Sequence, residues 1–440
     1  MKRLRREERS LPEGCFYVRA LQRTLPMGDR NATCFAELGH LGVLDAAGAL
    51  DRDALVSYHS PPPRDDLWQF VMIDDHIVVQ ATDTASRRNG RDVELRDDII
   101  LRRSEEAYAA AGLAPKPSKR FRKEPVFNAV GARVDGRQGW VSAKVELILV
   151  ALALSTQLAA AGTWNASVLA TANACWVQIL LYRRAGFCLL ERSYQAVAEV
   201  GPTDQVWRRL PPAVIDELLL VCLNVASWGT DLRAQVSNEV FCTDASGGGR
   251  PGVGGVKAEL PNEVVRELWR HRARRGGYVR KETAAEVAAR RFAEYGDEDD
   301  FIDNDEPAGG DVRWFGGVCD AMGWSPVFSY APPPAHINIQ ELRGVRTLVR
   351  RLAKSASGPR RQLVGIDSNV VVGCLSKGRS SSRDLNRVLR SFLPEQLFAD
   401  IYLGVLGVPT KQNPADAPSR RRATRRAAVA APPLWAVRFV

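Results

Sequence analysis

Cysteine motifs are missing from this 440-residue chain: its eight cysteines (15, 34, 175, 188, 222, 242, 319 and 374) form neither a C-x-x-C pair nor a dense framework. Thiols so scattered, several inside apolar runs, exclude a disulfide scaffold and a cysteine-held zinc site, and read as reduced small hydrophobes. No apolar core follows the basic start MKRLRREERS, so the chain is not expected to be secreted; an intracellular setting, cytoplasmic or nuclear, is. The sequons at Asn31 and Asn165 are then chance. No G-K-[ST] follows the glycines 247, 248, 249, 252, 254 and 255, which removes a nucleotide phosphate loop and leaves a long hairpin turn to explain them. No internal repeat is visible, so no solenoid is expected.

What is present is ordinary globular material, 45% hydrophobic and 25% charged, enough for two to four domains with cores of their own. The balance is basic, 61 Lys+Arg against 51 Asp+Glu for a formal charge of +10, which favours anionic partners, nucleic acid foremost. Basic clusters lie at 1–6, 116–123, 270–281 and 420–426, and an acidic stretch at 297–311 lacks the spacing of a calcium loop. One uncharged run, 147–182, is long enough to cross a bilayer. Polar residues from Ser155 to Gln178 interrupt it, so packed helices are the expectation and a membrane-associated protein the alternative. Periodicity divides the chain into a mixed block at 11–140, a helical block at 141–235, an alternating strand and helix block at 236–420, and a basic tail at 421–440. The fold class is α/β and α+β, multidomain.

In the first block QFVMIDDHIVV sets Asp74 and Asp75 at the tip of an apolar hairpin, a placement suited to hard divalent cations, though many turns carry such pairs. Upstream, LPMGDRNATCFAELGHLGVL makes a turn at Pro26 and Gly28 and then a helix. With these two strings the chain resembles a reverse transcriptase palm of the retrotransposon type. The resemblance implies template and nucleotide contacts at Pro26, Met27 and Gly28, metal binding at Asp74 and Asp75, and a lysine role for Lys119 or Lys116. It extends to FNAVGARVDGRQG as a primer-grip hairpin with Phe127 and Gly131, and to the helical block as thumb and connection, with Arg183 and Arg184 as phosphate contacts. Trp164 and Trp176 in that block read as core anchors. The palm is partial: residues 1–28 hold no Asp to supply the family's upstream carboxylate, and only 24 residues precede Leu25, so polymerisation by this chain alone is not expected.

In the third block EVFCTDAS ends a strand near Asp244, NIQE opens a helix with Glu341, LVGIDSN ends a buried strand at Asp367, and NPADAPSR starts a short helix at Asp416. Asp, Glu, Asp and Asp in that order and those contexts resemble ribonuclease H, an α/β domain with a mixed sheet. The resemblance implies two Mg²⁺ ions, or Mn²⁺ in their place, with Asp244 and Asp367 holding both, Glu341 ligating one and orienting the attacking water, and Asp416 completing the second. Ser368, Asn369, Lys377 and Arg379 read equally as nucleic-acid backbone contacts or as a polar loop. The 97 positions between Asp244 and Glu341 call for an insertion at about 257–320, and no His lies between Asp367 and Asp416, where Lys411 is the nearest cation to the last acid. The expected activity is hydrolysis of RNA in RNA:DNA hybrids by a retroelement-derived fragment without a small-molecule cofactor. The alternative is a catalytically inactive nucleic-acid-binding relic. Oligomeric state is not legible.

Overall fold

The computed structural model describes residues 32–57, 60–82, 94–114, 116–247, 251–274 and 312–424. The chain divides into two compact units, Met1–Phe121 and Arg122–Val440. The boundaries drawn from periodicity at 140 and 235 therefore fall inside the second unit.

In the first unit, helix α1 (Ala32–Ala46) precedes the hairpin β1 (Leu67–Met72) and β2 (Asp75–Gln80), and α2 (Arg96–Ala110) follows. Met72 pairs with Asp75, so the turn is only Ile73 and Asp74. That tightness puts Ile73 at φ +52°, a left-handed conformation that β-branched residues rarely adopt. His40 steadies it, with Nδ1 3.0 Å from the Ile73 carbonyl. The core here is small, Ala54, Leu67 and Ile100 with Val78 against them. Gln69 is buried but satisfied: Nε2 donates to Ala49 O at 2.9 Å, and Oε1 accepts the Asp51 N–H at 2.7 Å.

The second unit begins with an antiparallel sheet of β3 (Val126–Ala129), β4 (Ala132–Asp135), β5 (Trp140–Ala143) and the later strand β8 (Gly229–Asp231). Between β5 and β8 lie α3 (Val145–Ala161), α4 (Ala166–Leu180), a 3-10 stretch (Leu181–Leu190), α5 (Glu191–Val200), α6 (Pro212–Leu223) and a ribbon of β6 (Thr163–Trp164) with β7 (Arg208–Arg209). The uncharged run is cut in two. Gly162 ends α3 at φ +63°, and Asn165 caps α4 by accepting the Val168 N–H at 2.9 Å. Among the described residues no helix is long and apolar enough to cross a membrane.

The larger sheet holds β9 (Gln235–Ser246), β10 (Gly252–Glu259), β11 (Ser325–Tyr330), β12 (Arg360–Ile366) and β13 (Ile401–Gly407) in the order β11-β10-β9-β12-β13. β11, β10 and β9 run antiparallel, while β9, β12 and β13 are parallel. Alternate residues face opposite cores, as the period of a strand requires. Val240, Cys242, Leu363 and Leu406 pack under α7 (Asn262–Arg270) and α8 (Val312–Ala321). Phe241, Val364 and Val405 pack under α9 (Ile337–Lys354), α11 (Arg383–Arg390) and α12 (Leu393–Phe398), with α10 (Asn369–Lys377) beside them. Trp176, Leu180, Leu190 and Trp228 of the helical block belong to that second core as well, which is why the chain does not divide at 235. Part of the expected insertion is also integral to the sheet. Lys257 to Glu259 complete β10, and Val264, Val265, Leu268, Phe315 and Val318 are buried against it.

Both edges of this sheet are interrupted. Pro326 sits in β11 where the register to β10 shifts at Gly255 and Val256, and the Ala273 N–H, just beyond α7, bonds Val405 O of β13 at 2.8 Å.

Candidate metal centre

Three carboxylates arrive from three elements. Asp244 stands on β9 opposite Gly254 of β10, Glu341 on the second turn of α9, and Asp367 directly after β12. One carboxylate oxygen from each lies within 4.8 Å of the others. Glu341 Oε1 accepts the Ala245 N–H at 3.0 Å, whereas its Oε2 is buried with no hydrogen-bond partner. A buried oxygen left unpaired is destabilising unless something outside the chain takes it up.

The electrostatics point the same way. Burial first, then the charges of Asp244 and Asp367, push the Glu341 carboxyl up to about 9 against the pull of the Ala245 N–H. Burial likewise raises Asp244 to about 6, helped by Asp367 and Asp416 and opposed by the Ser419 hydroxyl and Arg420. Asp367 is raised by burial and by Asp416 while Thr410 and Asn413 hydrogen-bond its charged form. Three carboxylates crowded away from water repel one another, and a divalent cation removes that repulsion. The donors are all oxygen, which fits Mg²⁺ or Mn²⁺ and not a thiolate- or imidazole-seeking metal.

The fourth acid stands where the sequence puts it, at the start of a short helix, but it is not one of the three that converge. Asp416 opens the short helix α13 (Asp416–Ser419), and its Oδ1 is taken by Arg420, 2.9 Å from Nε and 2.8 Å from Nη2. Its charge reaches Asp244 and Asp367, but it is outside the trio.

The sequence missed what seats α13. A side-chain carbon at Gly252 or Gly254 would collide with the backbone of Ser419, and one at Gly255 with the Phe328 ring. These glycines lie in strand β10, not in a long turn, and permit close approach of another backbone. Ser246 Oγ then donates to Ser419 O at 2.9 Å, and Asn413 Nδ2 to Thr243 O at 3.2 Å. The alternation of glycine at 252 and 254 was the available signal.

Among the other expected residues, Pro26, Met27 and Gly28 lie outside the described residues. Asp74 is in the hairpin turn and Asp75 opens β2, both exposed; among the described residues no other metal-ligating side chain completes a group with them. Lys119 ends the 3-10 turn Pro117–Lys119. Arg183 is a correction. It is 4% exposed, stacks 3.7 Å from the centroid of Tyr402, and donates to Gln396 O at 3.3 Å and Ile401 O at 3.4 Å, so it clamps the interior and reaches no phosphate. Arg184, Asn369 and Arg379 are exposed and Lys377 half-buried, while Ser368 caps α10 by accepting the Val371 N–H at 3.4 Å. Trp164 and Trp176 are buried, and Trp176 Nε1 donates to Ser155 Oγ at 2.7 Å.

No family model matches the chain, and no curated protein is significantly similar to it. Among solved structures, a foamy viral protease-reverse transcriptase in complex with RNA/DNA hybrid is similar at a TM-score of 0.32 and 10% identity. The match covers 90% of this chain and 62% of that one, so this chain spans less than two thirds of its length. A likeness of that size assigns no function to this chain.

Proposed function

We propose that the trio Asp244, Glu341 and Asp367 is a divalent-metal centre that hydrolyses phosphodiester bonds in nucleic acid, with RNA of an RNA:DNA hybrid as the substrate that the resemblance to ribonuclease H implies. The observation that carries this is the convergence of three oxygen donors from β9, α9 and β12 within 4.8 Å, one of them with an unpartnered buried oxygen. Asp244 and Asp367 would hold the metal. When bound, Mg²⁺ supplies neutralising charge for the attacking and leaving oxygens of an in-line displacement. Glu341, fixed through Oε1 by the Ala245 N–H, keeps Oε2 for orienting the attacking water. Thr410 and Asn413 favour the charged form of Asp367 against the burial that raises its carboxyl. Polymerisation is not part of this proposal.

The test is cleavage of a labelled hybrid with Mg²⁺. Asp367→Asn is expected to lower the rate by a factor of about 10² or more, the scale on which one electrostatic contributor acts, with hybrid binding retained. A wild-type chain that binds and never cleaves overturns hydrolysis and selects a second reading, an inactive nucleic-acid-binding protein. The engagement of Asp416 by Arg420 in place of the trio favours that reading.

A further inference from the structure

Asp416 carries a cation of its own. Both Nε and Nη2 of Arg420, four residues along, reach its Oδ1. The backbone around the pair is fastened: Ser246 Oγ donates to Ser419 O at 2.9 Å, Ser329 Oγ to Pro418 O at 2.7 Å, and Ser419 Oγ to Asp416 O at 2.9 Å. What is left to move is the arginine side chain, 49% exposed against 28% for the aspartate. An ion pair open to water adds little to stability, so the guanidinium can be displaced at small cost. Its charge also acts beyond Asp416, opposing the rise that burial causes in the Asp244 carboxyl.

Formal charge separates two states of the centre. With a cation bound, Asp244, Glu341, Asp367 and Asp416 ionise and carry four negative charges. One divalent cation at the trio and the guanidinium on Asp416 cancel three of them, and that state needs no partner. Two divalent cations cancel all four and leave the guanidinium as surplus positive charge at short range, which repels the second ion unless an outside anion takes it up.

Resting on the hydrolase reading, we infer that Arg420 is a resident counter-ion that keeps the centre at one divalent cation until a phosphate of the bound nucleic acid draws it off Asp416 and admits a second. Arginine suits the exchange, because its planar fork offers carboxylate and phosphate the same paired N–H groups and does not lose its charge. The chain alone is thereby held half-loaded, and the substrate completes the centre that acts on it. The engagement of Asp416 in the metal-free protein is then a resting position of the arginine.

Counting Mn²⁺ bound to the full chain by electron paramagnetic resonance tests this without cleavage, with the ions that Asp367→Asn still binds subtracted as those held elsewhere. The wild-type chain is expected to bind one ion, Arg420→Gln two, and Arg420→Lys, which keeps the charge, one. Adding Asp416→Asn to Arg420→Gln is expected to return the count to one. A hybrid whose RNA strand is 2′-O-methylated presents its phosphates and resists cleavage; with it the wild-type chain is expected to bind two ions above those the hybrid binds alone. Two ions on the wild-type chain without nucleic acid, one on Arg420→Gln, two on Arg420→Lys, two after Asp416 is also replaced, or one on the wild-type chain with the hybrid each overturns the counter-ion. The two proposals fail separately. A chain that shows these counts and never cleaves an unmodified hybrid in Mg²⁺ refutes hydrolysis alone, one that cleaves with two ions bound from the start refutes the counter-ion alone, and one that binds no ion refutes both.

Discussion

Glu341 shows what a single side chain contributes and what it costs. Its carboxyl, raised by burial to about 9, holds a proton in the folded metal-free protein that it has already lost in the unfolded chain at neutral pH. Asp244, raised to about 6, behaves likewise over a narrower window. The folded state thus binds more protons, and stability falls as pH rises from the ordinary carboxylate range toward 9. The melting temperature in chelator is expected to drop across that interval, and Mg²⁺ at 100 times its Kd is expected to restore about 2.7 kcal/mol. A melting temperature that climbs with pH in chelator would contradict the crowded, raised carboxyls. Asp367→Asn provides the companion measurement. It relieves repulsion, so at pH 8 it is expected to raise the metal-free melting temperature while abolishing the response to Mg²⁺; a purely structural aspartate would do neither.

At the scale of elements, β10 is the strand whose sequence misleads. Glycine at 252, 254 and 255 reads as a turn, yet each sits in the ladder where a neighbour presses in, Ser419 on the first two and Phe328 on the third. Gly254→Val is expected to push α13 off the sheet and with it the Ser419 hydroxyl that serves Asp244. It is expected to destabilise the fold by roughly 1–3 kcal/mol, the range for overpacking, and to weaken Mg²⁺ binding by calorimetry; a variant with wild-type metal affinity would detach α13 from the site. The strand and helix contexts of Asp244, Glu341 and Asp367 were legible because apolar runs mark where strands end and period separates helix from strand, whereas grouping these acids came from the resemblance to ribonuclease H. The partner of Asp416 was not, since an arginine four residues along a short helix is only one of many exposed pairs a sequence permits. Arg183 was misread for a related reason: an Arg-Arg pair between apolar helices looks like a surface, and only the fold shows Tyr402 and two carbonyls waiting for the first of them.

For the whole molecule the lesson concerns boundaries. Composition changes near 140 and 235 were visible, but shared burial is a property of pairs of distant residues, and Trp228 against the α9 and α10 side of the sheet leaves no local trace. A fragment 122–440 is expected to melt cooperatively and keep its response to Mg²⁺, whereas 236–440, stripped of Trp176, Leu180 and Trp228, is expected to lose near-UV circular dichroism and bind hydrophobic dye. A well-folded 236–440 would show that the helical block only leans on the sheet. The rims of that sheet have a consequence of another kind. With a proline and a bulge along one margin and the Ala273 amide bonded to one rung of the other, the larger sheet offers a stray strand an interrupted template, which disfavours fibril growth from its rims.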